Sequence, residues 1–154
     1  MKIGIDIHGV IDAEPKIFSG LSHECIKKGW EVHIITGQED TPALRNVLTQ
    51  YDIVYSHFFS ITSHHKKIGT EIKYDDNGNP WMDEEIWNKS KSVYCTENNI
   101  DIHIDDSYTY GKYFTTTYIK LVKTVDGTLY LLPIVFKFLD EVMKLWLKAP
   151  KEKI

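Results

Sequence analysis

Residues 1–12 have the sequence MKIGIDIHGVID, in which an apolar run is followed by a carboxylate and, three positions later, by a glycine. The isoleucine-rich run KIGIDI predicts a buried β-strand. Asp6 would lie where this strand ends, and Gly9 would let the backbone turn tightly behind it. We therefore expect the first strand to present a functional carboxylate.

Four further runs predict strands, and segments with helix signals separate them: EVHIITG, DIVYSHFFSI, NIDIHID and YIKLVK. This alternation is typical of an α/β protein with a mainly parallel sheet. A chain of 154 residues has the size of one ordinary domain. We therefore expect a single domain over residues 1–154.

The segments between these runs carry signals for helices and for one hairpin. The predicted helices run from Phe18 to Lys28, from Thr41 as N-cap with Pro42 in the first turn, from about Asp83 into Thr96, and from Pro133 to near Ala149. The stretch TEIKYDDNGNPWM contains an Asn-Gly pair between short extended segments. It predicts a small hairpin or flap, inserted over about residues 63–82 after the third strand.

The charge balance and the apolar segments narrow the class of protein. The chain has 18 Lys and Arg against 22 Asp and Glu, so it lacks the basic excess that binding to long nucleic acid requires. Its most apolar segment, LYLLPIVFKFLDEVMKLWL, contains four charged residues and predicts a helix packed on protein, not a membrane span. Cys25 and Cys95 fall in predicted helices, and no leader precedes the first strand, so we expect a reducing cytoplasm.

Three of the predicted strands end in polar residues, namely Asp6, Thr36 with Gly37, and Asp105 with Asp106. Ligands bind at the carboxyl edge of open α/β sheets. Three carboxylates gathered there would repel one another unless a divalent cation balanced them, and oxygen ligands favour Mg²⁺. Any one of these residues could instead cap a helix. Their combination with a suitably placed lysine favours a metal and phosphate site.

In this order the motifs resemble those of the haloacid dehalogenase-like superfamily, whose members are mostly magnesium-dependent phosphatases that form an aspartyl-phosphate. DIHGV resembles the first motif, with Asp6 as the nucleophile and His8 where a second Asp is usual. Thr36 in HIITGQ resembles the second motif. The third motif is a lysine within WNKSKSVYC, where we prefer Lys91 to Lys89 because Lys91 directly precedes the helical SVYCTENN stretch. IHIDDS resembles the fourth motif.

The resemblance implies a three-layer α/β/α sandwich with a Rossmann-like sheet. It also implies a set of site residues. The magnesium ligands would be Asp6, the backbone carbonyl of His8, Asp105 and Asp106, and the phosphate-binding residues would be Thr36, Gly37 and Lys91. We therefore expect a magnesium-dependent phosphatase in which Asp6 attacks phosphorus and an acyl-phosphate is then hydrolysed.

The histidine at position 8 leaves two hypotheses open. The family's second Asp protonates the leaving oxygen and later activates water, and a histidine with an ordinary pKa near 6.5 can perform both transfers. Alternatively, His8 marks the loss of the acid and the protein binds metal and phosphate without catalysis. A response-regulator receiver fits less well, because its paired acids come early in the chain and its threonine late.

The remaining polar and aromatic residues support weaker expectations. His33 and His103 fall inside strands and are expected in the core, whereas His57, His64 and His65 flank a loop that could hold a metal. Trp81, Trp87, Tyr108 and Tyr110 are expected to pack, although one of them could line the mouth of the site. The substrate is expected to be phosphorylated, with nucleotides, sugar phosphates and phosphorylated nucleic-acid ends all open, and a homo-oligomer is also left open.

Overall fold

The computed structural model describes residues 1–123, 127 and 129–134. Among these residues, eight strands occur in chain order: β1 (Lys2–Ile5), β2 (Glu31–Thr36), β3 (His57–Ser60), β4 (Lys73–Tyr74), β5 (Pro80–Trp81), β6 (Ile102–Asp105), β7 (Thr117–Lys123) and β8 (Leu129–Ile134). Six of them form one sheet in the order β3-β2-β1-β6-β7-β8, while β4 and β5 pair separately. All pairings in the large sheet are parallel except that of β7 with β8. The predicted α/β class with a mainly parallel sheet is therefore confirmed.

Five α-helices are described, α1 (Pro15–Lys27), α2 (Pro42–Gln50), α3 (Ile61–Lys67), α4 (Glu84–Glu97) and α5 (Tyr108–Gly111), and a short π-helical turn spans Ile7–Ile11. The hydroxyl of Thr41 accepts a hydrogen bond from the backbone N–H of Leu44 at 3.2 Å, so α2 begins where its cap signal predicts. Asp83 caps α4 in the same way. Helix α1 begins at Pro15, three residues before the predicted start, because a proline is well suited to the first turn of a helix.

The central strands β1 and β2 are buried along almost their whole length. One cluster of buried side chains joins Val32 and Ile34 of β2 to Phe18 of α1. A second cluster joins Ile35 to Cys95 of α4. Since neighbouring side chains on a strand alternate in direction, these clusters explain why the central strands are nearly continuous in apolar residues.

The apolar segment near residue 130 differs from its prediction. Leu129–Ile134 forms β8, antiparallel to β7, so Pro133 lies within a strand and does not start a helix. A proline is tolerated in a strand at the end of a sheet, where one side needs no ladder hydrogen bonds. The rest of the predicted C-terminal helix lies outside the described residues. Within the described part of the chain, no helix has the length and apolar character needed to cross a membrane.

Strands β4 and β5 form a short antiparallel hairpin, which begins later than the sequence predicts because residues 61–67 are helical. Its turn is organised by Asp75, whose Oδ1 accepts hydrogen bonds from the backbone N–H groups of Asn77 at 2.9 Å and Asn79 at 2.8 Å. Gly78 has a φ of +80°, which a residue with a side chain rarely adopts. The Asn-Gly signal therefore located the turn correctly, although the hairpin is shorter than expected.

Candidate functional site

The candidate site lies where the strand order reverses. From β1 the chain continues to β2 and β3 on one side of the sheet, whereas β6 and β7 lie on the other side. Ligands of open α/β sheets bind at such a switch point, beyond the carboxyl ends of the strands. Asp6 follows β1, Asp105 ends β6, and the backbone N–H of Asp6 donates to the carbonyl of Ile104 at 3.0 Å. The sheet itself therefore holds the two carboxylates side by side.

Lys91 of α4 bridges these two carboxylates. Its Nζ lies 2.8 Å from Oδ2 of Asp6 and 2.7 Å from Oδ2 of Asp105, and its side chain is only 2% exposed. Buried charges are tolerated when they are paired in this way. Lys89 is exposed and pairs with Glu85 instead. The lysine preferred from the sequence is thus the one that lies with the acidic residues.

The two bridged carboxyls differ strongly in proton affinity. Burial, together with the charge of Asp105 and against the effect of Lys91, raises the pKa of Asp6 to about 6. Burial also acts to raise the pKa of Asp105, but Lys91 and the neighbouring His103 hold it well below the usual range. His103 lies inside β6 as predicted, and its Nε2 is 3.2 Å from Oδ2 of Asp105. The pKa of Asp6 is therefore shifted upward and that of Asp105 downward.

Asp106 completes a group of three carboxylates. Ligand oxygens of Asp6, Asp105 and Asp106 all lie within 4.8 Å of one another. Burial, and then the charge of Asp105, raises the pKa of Asp106. An oxygen-only donor set with excess negative charge suits a hard divalent cation such as Mg²⁺.

Position 9 requires glycine because Asp106 lies very close to the segment Ile7–Ile11. Its φ is +69°, and a Cβ placed there would lie 2.1 Å from Oδ2 of Asp106. Both the backbone conformation and the available space therefore exclude larger residues. The expected tight turn behind Asp6 is present, and it brings the backbone of residues 8 and 9 against the acidic group.

His8 lies at the edge of the site, with a side chain that is 59% exposed. Its Nδ1 is 2.8 Å from Oδ2 of Asp12, and the other Asp12 oxygen accepts a hydrogen bond from the backbone N–H of Gly9 at 2.7 Å. Asp12 therefore orients the imidazole and holds the turn at the same time. Asp12 was not among the residues predicted from the sequence, although its separation of four residues from His8 allows such a contact.

A cavity of about 300 Å³ opens beside the acidic group and brings the predicted site residues together. Its lining includes Asp6, His8, Thr36, Gly37, Lys91 and Asp106. Thr36 is buried, and its hydroxyl accepts a hydrogen bond from the backbone N–H of Gln38 at 3.2 Å. The turn after β2 is thus folded against the cavity, where a hydroxyl and backbone N–H groups can meet an anion.

Two aromatic residues also line this cavity. Nε1 of Trp87 donates a hydrogen bond to the hydroxyl of Tyr110 at 3.0 Å, and the ring of Tyr110 lies 4.9 Å from Nζ of Lys91. Both were expected from the sequence to pack, with the mouth of the site left open as an alternative position for one aromatic residue. The position of Trp87 four residues before Lys91 on one helix could have indicated a shared face. Asn79 and Pro80 of the hairpin also line the cavity.

The histidines near the third strand are arranged differently from the predicted loop site. The rings of His64 and His65 lie 5.2 Å apart, but His57 stacks on His33 with ring centroids 4.4 Å apart. Among the described residues, the groups whose ligand atoms converge do not include His57, His64 and His65 together. The geometry therefore does not support the possibility of a metal site formed by these three residues.

In comparisons with known proteins, no family model matches the chain and no curated protein is similar to it. The family resemblance therefore depends on the four motifs themselves and on the short distances between their side chains in the fold. A functional assignment must be derived from the chemistry of the cavity.

Proposed function

We propose that this protein is a magnesium-dependent phosphatase of the haloacid dehalogenase-like type, which hydrolyses a phosphomonoester through an aspartyl-phosphate on Asp6. The observation that carries the proposal is the position of Lys91, buried between Asp6 and Asp105 in a cavity that Thr36 also lines. Such an arrangement supplies a nucleophile, a positive charge and a hydroxyl donor within one small space.

Mg²⁺ would be held by Asp6, Asp105, Asp106 and the backbone carbonyl of His8. The excess of carboxylates over buried cations supports this assignment, as does the all-oxygen donor set. When bound, the ion supplies positive charge that balances these carboxylates and the oxygens of a phosphoryl group. The remaining steps depend on the side chains.

In the first step, a carboxylate oxygen of Asp6 attacks phosphorus, and the bond from phosphorus to the ester oxygen breaks as the new bond forms. Oδ1 of Asp6 accepts a hydrogen bond from the backbone N–H of Ile7 at 2.8 Å, so the nucleophile is held in a defined orientation. Lys91 offsets the negative charge that gathers during transfer. The hydroxyl of Thr36 and the backbone at Gly37 hold phosphoryl oxygens.

His8 is the proposed proton donor in the first step and the proposed proton acceptor in the second step. In its charged form it gives a proton to the leaving oxygen, and in its neutral form it takes a proton from the water that attacks the acyl-phosphate. Oδ2 of Asp12 lies 2.8 Å from Nδ1 and orients the ring. Cleavage of the acyl-phosphate releases inorganic phosphate and restores the carboxylate of Asp6.

The exposure of His8 supports a second candidate function. A side chain that is 59% exposed is less well placed for proton transfer than a buried acid, which favours a non-catalytic protein that binds metal and a phosphate ester. Turnover separates the two candidates. A binding protein would show magnesium-dependent affinity for a phosphate ester without release of phosphate.

We also propose that the β4–β5 hairpin acts as a small flap over the cavity and that helices cover both faces of the sheet as a three-layer sandwich. Asn79 and Pro80 support the flap, and the clusters around Phe18 and Cys95 support the layers. A site with so small a cover suits several classes of phosphate ester. Cys25 and Cys95 are buried free thiols, which suits a reducing compartment such as the cytoplasm.

Release of phosphate from a generic aryl phosphate tests the proposed activity. Wild-type protein and Asp6→Asn are compared with and without Mg²⁺ between about pH 5 and 8, the range in which an ordinary histidine changes charge. We expect release that needs both Mg²⁺ and Asp6. Equal release by the variant would contradict covalent catalysis, and absent release with retained binding of a phosphate mimic would favour the binding protein.

A further inference from the structure

A second group of ligand-type side chains lies away from the carboxylate cavity, near the start of β2 and β3. Glu31 begins β2, and His33 follows two residues later on the same face of the strand. His57 begins β3 and is the register partner of His33. The parallel pairing of two neighbouring strands therefore brings one carboxylate and two imidazoles together.

The three side chains converge on one point. Nε2 of His33 lies 3.4 Å from Oε2 of Glu31, and Nε2 of His57 lies 3.2 Å from the same oxygen. Ligand atoms of all three residues lie within 4.8 Å of one another. Charge-assisted hydrogen bonds are usually shorter, about 2.7–2.9 Å. In a tetrahedral zinc site with bonds of about 2.0–2.1 Å, neighbouring ligand atoms are about 3.3 Å apart.

We propose that Glu31, His33 and His57 form a binding site for a transition-metal ion of the Zn²⁺ type. The ligands are a carboxylate oxygen of Glu31 and the Nε2 atoms of both histidines. Two imidazoles and one carboxylate favour such an ion over Mg²⁺, which prefers oxygen ligands alone. This site is separate from the carboxylate cavity and does not depend on the proposed phosphatase activity.

Exposure gives the ion a route into the site. The side chain of His33 is only 2% exposed, whereas those of Glu31 and His57 are 41% and 52% exposed. One ligand is therefore rigidly buried, and two meet solvent. Three protein ligands with a solvent-facing fourth position are typical of zinc sites that keep one position open.

Tyr94 of α4 orients the buried ligand. Its hydroxyl lies 2.9 Å from Nδ1 of His33, and its ring stacks on Phe59 with centroids 4.2 Å apart. When Nδ1–H donates to the tyrosine oxygen, Nε2 carries no proton. Nε2 is the ring nitrogen that lies beside Glu31, so it is free to bind a metal there. A metal-bound histidine is usually held in this way, through a hydrogen bond from its other ring nitrogen.

The surroundings of the group also favour neutral imidazoles. The rings of His33 and His57 stack with centroids 4.4 Å apart, so two charged rings would repel each other. Burial lowers the pKa of His33, and the neighbouring His57 lowers it further. Lys2 is the cation that faces the group, with Nζ 3.4 Å from Oε2 of Glu31, and its partly exposed side chain can turn away when a metal binds.

Zinc binding by full-length protein without a histidine tag tests the proposal. Zn²⁺ is titrated in competition with a chromogenic chelator, in excess Mg²⁺ so that the oxygen ligands of the carboxylate cavity are occupied. We expect one ion per chain. We expect Tyr94→Phe to weaken binding about 10–100-fold, the usual cost of losing such an outer hydrogen bond, and His57→Ala to weaken it by more than about 100-fold.

His23→Ala is the matched control. His23 is 47% exposed and lies 3.1 Å from Oδ2 of Asp52, so it is also a surface histidine beside a carboxylate. We expect this variant to bind zinc as the wild type does. Saturating zinc should also raise the melting temperature of the wild type and of His23→Ala, but not that of His57→Ala. Absent stoichiometric binding, or equal binding by His57→Ala and wild type, would overturn the proposal.

Discussion

Nζ of Lys91 lies 2.8 Å from Oδ2 of Asp6, and both side chains are almost completely buried. The pair joins α4 to the end of β1, and Asp105 binds the same ammonium group from β6. A single cation therefore links three separate elements of the fold. Its position makes the pair important both for folding and for the proposed transfer of a phosphoryl group.

Removal of the Lys91 charge tests its structural importance. Lys91→Met leaves two buried carboxylates without their cation, so we expect a loss of about 3–5 kcal/mol in the free energy of unfolding near neutral pH. Urea unfolding followed by circular dichroism measures this change. Lys89→Met is the matched control, because Lys89 is exposed on the same helix. The urea concentration at the midpoint of unfolding should be nearly the same for this variant as for the wild type. Equal effects of the two substitutions would contradict the assignment.

Magnesium affinity is expected to depend on pH because of Asp6. Its pKa is raised to about 6, so a proton competes with the metal below that pH and is lost above it. Below pH 6 we expect the affinity for Mg²⁺ to fall about tenfold per pH unit for each carboxyl that must lose a proton before it binds the ion. Calorimetric titrations between pH 5 and 8 measure this slope. Asp6→Asn should reduce it, and a slope unchanged by the substitution would be inconsistent with Asp6 as the titrating ligand.

His8 is expected to act in proton transfer. His8→Ala should lower the turnover number for phosphate release by about 10²–10⁴-fold, the usual contribution of a general acid or base. His8→Asp should keep or raise activity, because it restores an acidic residue at this position. Steady-state kinetics with and without Mg²⁺ measure both effects. His23→Ala serves as the control, and a His8→Ala enzyme as active as the control would exclude the proton-transfer role.

Gly37 is expected to be intolerant of substitution. A Cβ at this position would lie 2.8 Å from the ring of Trp87, so Gly37→Ala must displace the aromatic wall of the cavity. We expect a loss of about 1–3 kcal/mol in stability, as for other overpacked sites, together with weaker binding of phosphate mimics. Thermal unfolding and phosphate-mimic titration measure the two effects.

Gly20→Ala provides the matched comparison. Gly20 lies in α1, where nothing is found within 4 Å of an added Cβ. Alanine is favoured over glycine inside helices by about 0.5–1 kcal/mol, so this substitution should stabilise the protein slightly. Destabilisation by both substitutions would show that close contact with Trp87 does not explain the effect at Gly37.

Local signals predicted much of the fold. The parallel strands and the capped starts of α2 and α4 follow from short patterns such as EVHIIT and the Thr41–Pro42 pair. Strand β8 was mistaken for a helix because a short apolar run such as LYLLPI is compatible with either structure. The segment forms a strand because it pairs with β7, and this pairing is a tertiary contact that a local pattern does not contain.

The candidate site was predicted less completely. The acidic strand ends and Lys91 were found because motif order makes them visible in the sequence. Asp12, Trp87 and the group of Glu31, His33 and His57 depend on side-chain directions or on strand register. His33 and His57 become neighbours only when β2 and β3 pair in this register. The sequence of either strand alone therefore does not predict that these histidines meet.

The proposed mechanism requires that Asp6 becomes phosphorylated. Wild-type protein is mixed with an aryl phosphate and Mg²⁺, quenched in acid within the first turnovers, and the peptide that contains Asp6 is examined by mass spectrometry. We expect one phosphoryl group on Asp6, labile to hydroxylamine and absent from Asp6→Asn. Phosphate release by the wild-type protein with no phosphoryl group on this peptide at any quenching time would show that Asp6 is not the nucleophile.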